Sequence, residues 1–153
     1  MRVRNILVAV NFVSALMFAA DPDLVIGKWK LNWEKSRCHD PAPRSVVRTY
    51  HKSGNGVHVS EVWVESDGKS NTLNYTARYD GKDYPVRTSK DETIAFTRHD
   101  VHTAEGVSKE NGALAYAFKR TASEDGKTLT IETMKTDSTG KVSSEIFVYD
   151  RIK

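Results

Sequence analysis

The segment Gly27-Lys28-Trp29-Lys30-Leu31-Asn32-Trp33 decides the fold of this chain. Apolar and polar residues alternate along it, so that Trp29, Leu31 and Trp33 share one face, as in a half-buried β-strand. The same alternation returns in later segments. In-phase sets include Leu73, Tyr75, Ala77 and Tyr79; Ile94 and Phe96, with Arg98 in phase behind them; Leu114, Tyr116 and Phe118; Leu129 and Ile131; and Ile146 and Val148. The pattern predicts an all-β protein.

Regularly spaced turn signals separate these segments. Asn-Gly and Asp-Gly pairs tolerate the positive φ that tight hairpin turns require. The pairs are Asn55-Gly56, Asp67-Gly68, Asp80-Gly81, Asn111-Gly112 and Asp125-Gly126, with a weaker signal at Thr139-Gly140. Each interval holds one strand and a short turn, which favours strands that follow one another in an up-and-down meander.

These signals predict an antiparallel β-barrel of about eight to ten strands, although periodicity alone also allows a flat sandwich. The predicted strands lie near 28–33, 45–52, 57–66, 70–79, 93–98, 102–108, 113–123, 128–137 and 142–150, with a short tenth at 83–86. Val57 and Val59 are out of phase with Val62 and Val64. We therefore expect a β-bulge between Ser60 and Glu61.

The first twenty residues have the pattern of a secretory signal peptide. Arg2 and Arg4 precede the uncharged run 6–20, which ends at Asp21. The run is 15 residues long, shorter than the roughly 20 that a membrane-spanning helix needs. We expect a signal peptide at 1–20, a single barrel domain at 21–153, and a secreted or periplasmic mature protein without a membrane span. An uncleaved anchor is the alternative.

Charge and cysteine content exclude several classes of protein. The chain has 23 basic and 20 acidic side chains, and loss of Arg2 and Arg4 with the signal peptide leaves 21 and 20. A balance so near zero argues against a nucleic-acid partner. Cys38 is the only cysteine, so no internal disulfide can form. We expect a monomer without a cofactor.

The first and last predicted strands carry a family resemblance. Gly27-Lys28-Trp29 is similar to the Gly-x-Trp signature that opens the lipocalins and the wider calycin group. The resemblance implies an eight-stranded barrel in which the tryptophan lies at the closed end beneath an arginine of the last strand. Arg151 has the matching position. Gly27, Trp29 and Arg151 would then form a structural clasp, held partly by a cation–π contact.

A narrower resemblance covers nearly the whole mature chain. It is to a family of small exported bacterial proteins without an assigned activity, and it implies fold and export but no ligand. The matching motifs are 27–32, Lys35-Ser36, Pro41-Ala42-Pro43, 79–86, 125–130 and 148–151. The chain departs from typical secreted lipocalins because it lacks their disulfide and their long first loop.

A barrel of this size is either filled by side chains or holds one small ligand. The inward-facing aromatic side chains are the candidates for a ligand-lining wall. They are Trp63 (if the bulge turns it inward), Tyr75, Tyr79, Phe96, Tyr116 and Phe118. Arg98 is in phase with Phe96, and a buried guanidinium needs an anionic partner. That need could be met by a ligand carboxylate, by an internal carboxylate or by water at the barrel mouth.

No catalytic or metal-binding pattern stands out. The chain lacks a Ser–His–Asp order, a phosphate loop, an HExxH motif and a dinucleotide fingerprint. His99 and His102 form the only close histidine pair, but they fall in a predicted turn without a third ligand, which makes a poor zinc site. We do not expect an enzyme or a bound metal.

The sequence therefore favours an exported module that carries or senses a small apolar or amphipathic ligand inside a barrel. The alternative is a protein-interaction or inhibitor module that uses a filled barrel as scaffold and the segment Asp21 to Ile26 as its contact. An isomerase acting on a bound apolar substrate is a weaker third interpretation.

Overall fold

The computed structural model describes residues 22–38 and 42–153, and the predicted signal peptide lies outside them. The described part contains ten strands and one short 3-10 turn at Trp33–Lys35. The strands are β1 (Gly27–Leu31), β2 (Ser45–Ser53), β3 (Gly56–Val64), β4 (Ser70–Arg78), β5 (Tyr84–Pro85), β6 (Glu92–Arg98), β7 (Thr103–Glu110), β8 (Ala113–Ala122), β9 (Thr128–Thr136) and β10 (Val142–Ile152). No helix in these residues is long and apolar enough to cross a membrane.

All ten strands form one antiparallel sheet that curls into a nearly closed barrel. The order along the sheet is β4-β3-β2-β1-β10-β9-β8-β7-β6-β5, so that β1 joins β10 and every other neighbour is consecutive in sequence. The two ends of the sheet meet where Tyr75 bridges Val86 and the Arg87 amide donates to the Asn74 carbonyl (2.8 Å). The predicted all-β meander barrel is confirmed, and the flat sandwich is excluded because all ten strands belong to one sheet whose two ends meet at Tyr75 and Val86.

The expected bulge in β3 is absent, so that part of the prediction is wrong. β3 pairs with both β2 and β4 in continuous register over Gly56–Val64. Val62 points outward and is 40% exposed, while Trp63 packs against the core without a bulge to turn it. A register shift occurs instead between β7 and β8, where Ser108 pairs with Tyr116 and Lys109 pairs with Leu114. The bulge was expected because Val62 and Val64 are apolar. In the structure, Glu61 and Trp63 are the residues in this part of β3 that face inward.

The segment before β1 closes one end of the barrel. Val25 is 1% exposed, and Leu24 and Ile26 pack against the core. The Leu24 amide donates to the Val101 carbonyl (3.2 Å), and the Trp29 indole N–H donates to the Val25 carbonyl (2.8 Å). Residues 22–26 therefore form the floor of the barrel rather than a projecting contact segment.

Trp29 and Arg151 lie directly opposite each other in the β1–β10 register. Trp29 is completely buried, and the Arg151 guanidinium carbon lies 4.1 Å from the centre of its ring. The guanidinium also donates to the carbonyls of Ile26 (2.8 Å), Leu24 (2.6 Å) and Gly126. One side chain thus connects the last strand, the floor segment and the β8–β9 turn.

Gly27 is required by this arrangement. Its φ of +138° is one that side-chain-bearing residues rarely adopt, and a Cβ at this position would collide with Nη1 of Arg151. The glycine lets the backbone pass beneath the guanidinium.

We predict that Trp29 and Arg151 are energetically coupled. Trp29→Ala should lower the free energy of unfolding by about 3–5 kcal/mol because it empties a buried site. Arg151→Ala should cost less. The double variant should cost about 1 kcal/mol less than the sum, since each single variant already removes the cation–π contact. Urea denaturation of the four proteins measures the coupling, and strictly additive losses would contradict it.

Gly27→Ala should destabilise the protein by about 1–3 kcal/mol, through backbone strain and displacement of Arg151. Gly140→Ala is the matched control, because Gly140 also has a positive φ (+84°) but a Cβ added there would meet no atom within 4 Å. Thermal unfolding should show a larger loss for Gly27→Ala. Equal losses would mean that only the backbone angle matters.

Candidate functional site

The barrel encloses a cavity of about 500 Å³. This volume falls within the range of small-molecule sites, about 300–1,000 Å³, so side chains do not fill the interior. Apolar and aromatic side chains form most of the wall. The lining residues are Leu31, Trp33, Cys38, Pro43, Val46, Arg48, Tyr50, Glu61, Trp63, Leu73, Tyr75, Ile94, Phe96, Tyr116, Phe118, Arg120, Ile131, Thr133, Lys135, Glu145, Phe147 and Tyr149.

The lining follows from strand alternation. Phe118 and Arg120 on β8, and Ile131, Thr133 and Lys135 on β9, occupy every second position and share the inner face. Lys135 is exposed, so it marks the end at which the cavity approaches solvent, opposite the floor segment.

A cluster of aromatic rings forms one wall of the cavity. The ring centres of Phe96 and Phe118 are 5.9 Å apart and those of Phe96 and Tyr75 are 6.3 Å apart, both edge-to-face. Gly106 makes room for this cluster, because a Cβ there would meet the Ala95 carbonyl oxygen and lie 2.8 Å from the Phe118 ring.

Five of the predicted lining residues border the cavity: Trp63, Tyr75, Phe96, Tyr116 and Phe118. Tyr79 and Arg98 do not border it. They lie beneath it, where the Tyr79 hydroxyl donates to the Asp23 carboxylate and the Arg98 guanidinium lies 3.9 Å from the same group. An internal carboxylate is thus among the partners of Arg98.

Arg48 and Glu61 form an ion pair in the cavity wall. Nε of Arg48 lies 2.7 Å from Oε2 of Glu61, and the side chains are 15% and 17% exposed. The Tyr149 hydroxyl donates to the same Oε2 (3.3 Å), and Nη1 of Arg48 donates to the Tyr50 hydroxyl (3.5 Å). Burial lowers the pKa of Arg48, but Glu61 and, to a smaller extent, the neighbouring tyrosines together outweigh burial, so that the pKa lies above its ordinary value. Burial, and then Glu61, raise the pKa of Tyr149, so its hydroxyl remains a donor.

Arg120 forms a second charged cluster at the base of the cavity. Its side chain is only 4% exposed, and Nη2 donates to the Tyr79 hydroxyl (3.0 Å) and lies 3.7 Å from Asp23. The guanidinium carbon is within 5.2–5.9 Å of the rings of Tyr50, Tyr79 and Phe96. Asp23 belongs to the floor segment, so its negative charge links that segment to Arg120 in the cavity wall.

Each of the two buried arginines has one N–H group that makes no hydrogen bond. Within the described residues, Nε of Arg48 and Nε of Arg120 are buried and make no hydrogen bond. Arg48 Nε is close enough to Glu61 for an ion pair, but its N–H is not directed at the carboxylate oxygen. Such groups are uncommon in protein interiors, and each one requires a physical explanation.

Sequence reasoning missed Arg48, Glu61 and Arg120. Strand alternation does indicate an inward position for two of them, because Arg48 is in phase with Val46 and Tyr50, and Arg120 is in phase with Phe118. The predicted lining was drawn from aromatic side chains and Arg98, so these three charged residues were left out.

The buried serine and the two neighbouring histidines lie outside the cavity lining and do not extend the site. The Ser108 hydroxyl, completely buried, donates to Glu92 (2.9 Å). His99 contacts Glu105 (3.1 Å), and His102 contacts the Ala122 carbonyl (3.1 Å). Across residues 22–38 and 42–153, no three His, Cys, Asp or Glu side chains are grouped as a metal site would require.

Comparison with known proteins supports the architecture at low sequence identity. No protein-family model and no curated protein match the chain. Among solved structures, a point mutant of the fluorescent protein UnaG is similar with a TM-score of 0.59 and 13% identity, over 85% of this chain and 97% of that one. The siderocalin Ex-FABP is similar with a TM-score of 0.39 and 12% identity, over 84% and 71%. With the ten-stranded, nearly closed antiparallel barrel, the first of these likenesses identifies the fold of this chain as lipocalin-like, of the calycin type.

Proposed function

We propose that the protein carries or senses a small apolar or amphipathic molecule inside the barrel. The single observation that carries this proposal is the cavity of about 500 Å³, walled by aromatic and aliphatic side chains around a few buried polar groups. Apolar walls with a small number of placed polar groups are typical of small-molecule sites.

The distribution of polarity suggests how the ligand lies. Arg48, Glu61 and Arg120 form one charged part of the wall, and Lys135 and Glu145 add charge elsewhere in the lining. Most of the remaining wall is apolar or aromatic, as at Leu73 and Ile131. An amphipathic ligand would place its polar head group against the charged residues and its apolar body along the remaining wall. Burial of apolar surface supplies the affinity, at about 25 cal/mol per Å².

The protein-interaction alternative receives less support. It relies on the segment from Asp21 to Ile26, and within the described part of that segment Val25 is buried and Leu24 and Ile26 pack against the core. Freeing this segment for a partner would open the barrel floor.

We further propose that the protein acts outside the cytoplasm, after removal of the predicted signal peptide. The charged start, short apolar run and abrupt end at Asp21 support this. N-terminal sequencing of protein isolated from its source should give a start within a residue or two of Asp21. A start at Met1 would contradict export with cleavage.

Narrowing the cavity should weaken ligand binding. Thr133 lines the cavity, whereas Met134, the next residue of β9, points outward and is 55% exposed. Nile red, an uncharged apolar fluorophore, should bind the unmodified protein. Thr133→Phe should weaken binding at least about tenfold, equivalent to about 1.4 kcal/mol, because the ring would occupy ligand space.

Met134→Phe is the control and should bind Nile red as the unmodified protein does. Fluorescence titration measures the three affinities, and circular dichroism checks that each variant is folded. Failure of the unmodified protein to bind Nile red, or equal effects of both substitutions, would contradict binding inside the barrel.

A further inference from the structure

Resting on the proposed function, we infer that Glu61 sets the head-group preference of the cavity. Glu61 favours an uncharged head group that both donates and accepts hydrogen bonds, such as a hydroxyl, and disfavours a carboxylate. The carboxylate of Glu61 lies inside the cavity wall, paired with the arginine that an acidic ligand would otherwise use.

The pair is accessible from the cavity although it is mostly buried. Arg48 and Glu61 come from adjacent strands, where they are direct partners in the β2–β3 register. Both line the cavity, and their side chains keep 15% and 17% exposure. A head group entering this region therefore meets a guanidinium and a carboxylate side by side.

This pairing determines which chemistry fits. A guanidinium only donates hydrogen bonds and an ionised carboxylate only accepts them. A ligand hydroxyl can accept from Arg48 while it donates to Glu61, so both protein groups gain a partner. A ligand carboxylate can accept from Arg48 but places a second negative charge beside Glu61, and like charges at short range in a poorly solvated site repel strongly.

Arg120 does not offer an equivalent place for an acidic head group. Its side chain is 4% exposed, compared with 15% for Arg48, and it is enclosed by the rings of Tyr50, Tyr79 and Phe96. Asp23 already lies 3.7 Å from its Nη2 atom and supplies negative charge from below. Of the two arginines in the cavity wall, Arg48 with Glu61 is therefore the more open to a ligand, while Lys135 lies at the solvent-exposed end of the cavity.

The experiment compares two probes with the same alkyl chain, decanol and decanoate, by displacement of Nile red. The unmodified protein should bind decanol more tightly than decanoate. Glu61→Gln removes the competing charge and leaves Arg48 without its counter-ion, so the ratio of the decanoate affinity to the decanol affinity should rise at least about tenfold, or about 1.4 kcal/mol.

Glu132→Gln is the matched control, since Glu132 lies on the outer face of β9, is exposed, and changes the net charge equally. It should leave the ratio unchanged. Equal or tighter binding of decanoate by the unmodified protein, or an unchanged ratio in Glu61→Gln, would overturn the inference. The unmodified protein alone gives the first of these results, so the test does not depend on the folding of a variant.

The two proposals fail in different ways. If Nile red binds and is displaced but the ratio of the decanoate affinity to the decanol affinity does not depend on Glu61, the protein binds ligands and the inference about Glu61 is wrong. If neither Nile red nor either probe binds, the proposed function itself is wrong.

Discussion

The pairing of the first strand with the last is the constraint on which the rest of the structure depends. A meander of antiparallel strands is only a curved sheet until β1 meets β10, and Trp29 beneath Arg151 holds that seam together. The same guanidinium binds the carbonyls of Leu24 and Ile26 and so holds the floor segment in place. Without the seam there is neither an inside face nor a cavity.

The charged groups within this enclosure are not explained by stability. Taking an ion pair out of water costs several kcal/mol per ion, and apolar replacements of such pairs are often neutral or stabilising. Yet the barrel places Arg48, Glu61 and Arg120 in the cavity wall, with Asp23 below them. Two buried N–H groups are left without a hydrogen bond. Recognition of a ligand would explain why the barrel retains these buried polar groups.

Much of the fold could be predicted from local sequence. Asn-Gly and Asp-Gly pairs fix hairpin turns through their own backbone preferences, and alternation fixes strands, so neither depends on distant contacts. The inward positions of Phe96, Tyr116 and Phe118 followed from the same reasoning. The error at Ser60–Glu61 arose from treating Val62 as a core residue, although strand valines also occupy solvent-facing positions.

The polar part of the site could not be predicted in the same way. Strand alternation places Glu61 and Arg120 on the inner face, but the groups that compensate their burial come from other segments, Arg48 in one case and Asp23 with Tyr79 in the other. The alternation shows that these residues are in phase with core positions, but it does not show which residues will pair with them. Tyr79 and Arg98 were displaced from the predicted lining for the same reason, because Asp23 attracts them beneath the cavity.

The position of β10 in the sheet also has a consequence for how the chain folds. Val142–Ile152 is the final strand to be synthesised, yet it is the partner that β1 needs to complete the ring. Contacts between such distant segments form slowly, since a long loop must be ordered before they stabilise the chain. A growing polypeptide would therefore stay an open ribbon until β10 has been made. During that interval the second edge of β1 has no partner, and an unpaired strand edge is a template for pairing with another chain.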